Sequence, residues 1–102
     1  MSKVWVPKES GHDFSKAKKF GDVSVILDGD TSPFNMDSLR MAFRKAFVHA
    51  NENDYVLLSG PASVNIIMFD EWPFKVMNVL MFHARTKEYI FREIHANTTA
   101  RK

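Results

Sequence analysis

The sequence contains no cysteine, and that absence removes thiol catalysis, zinc ribbons, iron–sulfur clusters and a disulfide framework together. A secreted domain this small ordinarily needs disulfides, so a reducing compartment, the cytoplasm, is the expected location. No apolar run approaches the ~20 residues of a membrane-spanning helix, so no membrane partner is expected. The opening stretch, Met1 to Val6, is interrupted by Pro7 and Lys8 before a signal-peptide core can form. Charge of one sign is also scarce. Fourteen Lys and Arg against twelve Asp and Glu leave a formal net charge of +2, which falls short of the concentrated basic face of a non-specific nucleic-acid binder. The four histidines, His12, His49, His83 and His95, are scattered without metal-ligand spacing. No catalytic triad can be assembled from the sequence, and no cofactor is expected.

What is present describes an ordinary globular chain. The length of 102 residues suits one domain, and 45% hydrophobic with 25% charged residues excludes disorder of the whole. Nine Phe and six Met are many for this length, and Met suits adaptable contact surfaces. The organisation expected is one α/β domain over residues 1–95, with an irregular N-terminal segment over 1–21 and a flexible tail over 96–102.

The element pattern sharpens along the chain. Lys3-Val4-Trp5-Val6-Pro7 reads as a short edge strand ended by proline, and Lys8 to Gly21 as loop with at most one helical turn. Val23 to Leu27 is a β-branched apolar run that suits a strand covered on both faces. Asn35 is a good N-cap and Asp37 sits well in a first turn. Met36, Leu39, Phe43, Ala46, Phe47 and Ala50 then form one helical stripe, ending near Asn51. Tyr55 to Leu58 is a second buried strand. Ala62 to Glu71 is a short helix with Pro61 beside its first turn and Trp72-Pro73 as its stop. Val76–Phe82 and Glu88–Ile94 are strands joined by a polar turn, the last with the mixed faces of an edge strand. The order β-α-β-α-β-β predicts a small three-layer α/β sandwich, mainly parallel, with a C-terminal antiparallel hairpin.

In such a sheet ligands bind beyond the carboxyl ends of the strands. The loops expected at that edge supply Asp28 and Asp30, then Ser59, Gly60 and Ser63, then His83 and Arg85. These are the candidate ligand-binding residues, suited to a nucleotide or small anion. The apolar strand ending in Asp28-x-Asp30 resembles the first motif of the haloacid-dehalogenase phosphotransferases, and Ser59 resembles that family's second. The resemblance implies a nucleophile at Asp28, an acid/base at Asp30 and magnesium beside them. The family's lysine has no counterpart, and His83 and Arg85 stand where its later acidic pair belongs, so a turn closed by Asp28-Gly29-Asp30 is the expected reading and catalytic residues are not expected.

Arg40, Arg44 and Lys45 on the first helix, Lys16, Lys18 and Lys19 in the early loop, and Arg85, Lys87 and Arg92 on the hairpin form a basic surface only if they face one way. Interleaved Asp37, Glu88 and Glu93 favour ordinary solvation, so a nucleic-acid accessory role is the third reading. The second helix is apolar on nearly every side, with Val64, Ile66, Ile67, Met68 and Phe69, whereas one sheet face needs a single stripe. Met41 and Val48 likewise fall outside the first helix's stripe. Met41, Val48, Ile66, Ile67, Phe69 and Trp72 are therefore the candidate interface, and a homodimer or another protein partner is expected. Asp54-Tyr55-Val56-Leu57-Leu58-Ser59-Gly60 and the hairpin Ala84-Arg85-Thr86-Lys87-Glu88-Tyr89 resemble segments of small accessory proteins of bacterial viruses. The resemblance implies no activity. It agrees with a small non-enzymatic interaction or regulatory protein of viral origin, acting in the host cytoplasm.

Overall fold

The structure, a computed structural model, describes residues 2–95. The tail expected over residues 96–102 lies outside them. Five strands, β1 (Lys3–Lys8), β2 (Asp22–Leu27), β3 (Tyr55–Leu57), β4 (Val76–His83) and β5 (Glu88–His95), form one sheet in the order β2-β1-β3-β4-β5. The first four are parallel to their neighbours, and β5 runs antiparallel to β4. Helices α1 (Met36–Phe47) and α2 (Ala62–Glu71) cross over between strands, and a 3-10 helix spans Ser15–Lys19. The mixed α/β fold with a C-terminal hairpin is the expected one.

The expectation for the N-terminus needs correcting. β1 is an interior strand, paired with β2 on one side and β3 on the other. Pro7 does not end it, because pairing with β3 stops at Trp5 and the register with β2 skips Pro7. The missing N–H therefore breaks no ladder bond. Gly21 lets the chain return to this strand. A Cβ there meets the Ser2 carbonyl oxygen at 2.1 Å, and the next residue's N–H donates to that same oxygen at 3.1 Å.

Alternation along the strands divides the core in two. One cluster joins Trp5, Val56, Met77 and Val79 to Leu39, Phe43 and Phe47 of α1 and to Val64, Ile67 and Met68 of α2. Both helices thus lie on one face, and each large side chain buried there contributes about 1.5–3 kcal/mol. The second cluster, on the opposite face, joins Val4, Val6, Leu57, Leu80 and Tyr89 to Ala17, with Phe14 and Phe20 packed against it. The third layer is therefore only the 3-10 helix and its flanking loop. Asn35 caps α1 as its residue type predicts, its Oδ1 accepting from the Ser38 N–H at 3.1 Å.

Asp54 anchors the opposite end of the sheet. It is 1% exposed and accepts hydrogen bonds from the Lys3 N–H (2.9 Å), the Trp5 indole N–H (3.1 Å) and the Asn51 N–H (3.0 Å). One carboxylate thus ties the start of β1 to the start of β3, as a buried charge must be tied to be tolerated.

Candidate functional site

The strand order sets where a ligand fits. The chain leaves β1 for β2 along the 3-10 helix face and leaves β3 for β4 along the helical face. The adjacent carboxyl ends of β1 and β3 are therefore a topological switch point. There the Ser10 and Ser59 hydroxyls lie 3.4 Å apart. Alongside opens a cleft of about 420 Å³ lined by His12, Asp13, Phe14, Leu57, Leu58, Ser59, Gly60, Phe82 and Tyr89. Its floor is apolar and aromatic. Asp13 accepts from the Ser15 N–H at 2.9 Å, and that bond holds its carboxyl below the usual carboxylate range. Burial, and then the Asp13 charge, push the Tyr89 phenol up.

The residues expected at this edge occupy separate loops. Asp28 Oδ1 accepts from the Asp30 N–H and the Thr31 hydroxyl, each at 3.0 Å, so Asp28-Gly29-Asp30 is a closed turn. Ser59 and Gly60 line the cleft, and Asn65 holds their loop by accepting from the Ser59 N–H and donating to the Ser59 and Pro61 carbonyls. The Ser63 hydroxyl donates to the Pro33 carbonyl at 2.7 Å. His83 Nδ1 accepts from the Thr86 N–H at 3.3 Å within the hairpin turn, where Arg85 is exposed. β1 and its loop lie between the Asp28 turn and the Ser59 loop. β4 runs three residues past its last pairing with β3. Among the described residues no group of three His, Asp or Glu side chains could hold a metal ion. Nothing local in the sequence marks His12, Asp13 and Phe14, because the short run before Pro7 reads as an edge strand. An interior β1 brings their loop to the switch point.

The candidate interface residues also divide. Met41, Val48 and Ile66 are exposed, Phe69 is half-buried, and Ile67 and Trp72 are buried in the first core cluster. Trp72 closes that cluster, its ring edge-on to Phe47 at 5.0 Å and its indole N–H donating to the Val76 carbonyl at 2.9 Å. A charge at Ile67 therefore tests folding, whereas one at Ile66 leaves the core untouched. Arg40 and Arg44 turn toward α2, where Arg40 pairs with Asp70 and Glu71, and Arg44 with Glu71. They serve the helix pair and are not a free basic face.

The hairpin exposes large apolar side chains on both faces of the sheet. Met81, Phe82, Phe91 and Ile94 are between 37% and 50% exposed. Phe82 and Phe91 belong to the face that carries the 3-10 helix, and Met81 and Ile94 to the helical face. Among the described residues β5 has a neighbour on one side only. No helix of the described residues is long and apolar enough to cross a membrane.

No curated protein and no solved structure matches the chain. A family model described as Phage Pam3 gp32-like protein matches residues 2–96. That span holds all five strands and both helices, together with the switch-point cleft and the exposed hairpin, and so the chain belongs to the Phage Pam3 gp32-like protein family.

Proposed function

We propose that this phage-family protein works in the host cytoplasm by binding protein surfaces, first of all a second copy of itself, and carries no catalysis of its own. The observation that carries the reading is the β4–β5 hairpin, which ends the sheet on an open strand with large apolar side chains exposed on both faces. An exposed apolar strand edge is a template for another chain, and monomeric proteins blunt such edges. Met41, Val48 and Ile66 extend the apolar exposure to the helical layer. Sedimentation at micromolar concentration should show a species at least twice the 11.8 kDa of one chain. Monomer alone at that concentration contradicts the reading.

A second reading rests on the switch-point cleft. Its aromatic floor, the Asp13 carboxylate and the Ser59 hydroxyl suit a small planar ligand better than a phosphate, since no Lys or Arg lines it. Native mass spectrometry of the purified protein distinguishes the two readings, because it reports subunit number and any co-purified small molecule in one spectrum.

A further inference from the structure

We propose that two copies of this chain join through β5, antiparallel, about a two-fold axis at Ile90, so that their sheets continue into one ten-stranded sheet. The inference rests on the self-association reading above and gives it a register.

The open edge is identified by hydrogen bonding. The Leu58 N–H donates to the Leu80 carbonyl at 3.0 Å, so the main-chain groups of Leu80 face β3. Phe91 lies opposite Leu80 on β5. In an antiparallel pair hydrogen-bonded and non-hydrogen-bonded positions alternate. Leu80 and Phe91 are thus a non-hydrogen-bonded pair, and the N–H and C=O of Phe91 point away from β4, as do those of Tyr89 and Glu93. The Arg92 guanidinium confirms the direction, since it reaches round to donate to the Phe91 carbonyl at 2.7 Å.

The sequence of the edge is complementary to itself when reversed. With the axis at Ile90, Tyr89 meets Phe91 of the second copy and Glu88 meets its Arg92. Just beyond the strand end, Lys87 comes beside Glu93. Every charge then faces its opposite, aromatic faces aromatic, and Ile90 faces itself, the pairings that stabilise neighbouring strands. Other registers lose this. An axis at Arg92 or Glu93 sets like charges directly opposite, and one at Phe91 sets Arg92 on Ile90 and Glu93 on Tyr89. In the Ile90 register the outward groups of Tyr89 and Phe91 form four main-chain hydrogen bonds between copies. Association displaces three weak exposed contacts, Arg92 on the Phe91 carbonyl, Lys19 on Glu88 (3.2 Å) and His95 on Glu93 (3.5 Å).

Because the chain has no cysteine, single thiols report the register. Ile90→Cys should oxidise to a covalent dimer at low protein concentration, since the two Cα atoms of a non-hydrogen-bonded pair lie about 4.5 Å apart. Arg92→Cys should not, its two copies being about 13 Å apart along the strands. Glu88→Arg, at an exposed position, should weaken association at least about tenfold, and adding Arg92→Glu should restore it. A sedimenting dimer in which Ile90→Cys stays reduced, or Arg92→Cys cross-links faster, overturns the register and leaves self-association standing. Monomer throughout overturns both.

Discussion

Asp54 shows how much one side chain can hold together in a domain of this size. Its carboxylate takes three N–H groups, two of them from β1, and it sits where water cannot replace it. Asp54→Ala leaves these donors unpaired inside the protein, and the loss should be on the order of 3 kcal/mol. Urea unfolding should show it as a lower midpoint with an unchanged slope. This role was not legible in the sequence. Asn51-Glu52-Asn53-Asp54 reads as a polar loop, and nothing local marks a residue whose two β1 partners are 49 and 51 positions away. Asn35 was legible because its partner, Ser38, is three residues on. Ser59 and Gly60 follow the end of β3 for a similarly local reason, a strand stopping at a Gly-Pro turn.

The two helices illustrate the same limit on a larger scale. The α1 stripe can be read directly, since Leu39, Phe43 and Phe47 recur at helical spacing and are buried together. α2 is apolar all round, and periodicity cannot say which side faces the sheet. The structure decides it by burying Val64, Ile67 and Met68 and exposing Ile66. What fixes α2 against α1 at its far end is the cluster of Arg40, Arg44, Asp70 and Glu71. The Arg44 hydrogen bond, then that from Arg40, holds the Glu71 carboxyl below the usual glutamate value near 4.5, against the opposing effect of its burial. A carboxyl depressed in the folded state stabilises fully above its ordinary value and loses that contribution as pH falls through the folded one. Glu71→Gln should therefore be less stable than the parent at pH 7. The gap between the two urea midpoints should close as the pH falls below about 4.5.

At the scale of the whole molecule, alternating strands and helices were enough to indicate a mainly parallel sheet with an antiparallel end. The position of β1 was not, because a short run before a proline looks like an edge until its two parallel partners are known. That one strand carries the loop with His12, Asp13 and Phe14 to the switch point, which is why these three of the nine lining residues were not legible. The same topology places β5 last, and among the described residues no strand lies beside the outward N–H groups of Tyr89 and Phe91. Amide exchange followed residue by residue across protein concentration tests the central claim most directly. The account predicts that Tyr89 and Phe91 exchange freely in dilute solution and become protected as concentration rises. Ile90 and Arg92, bonded to β4, should stay protected throughout and serve as the internal reference. Free exchange at Tyr89 and Phe91, unchanged from micromolar to millimolar protein, contradicts it.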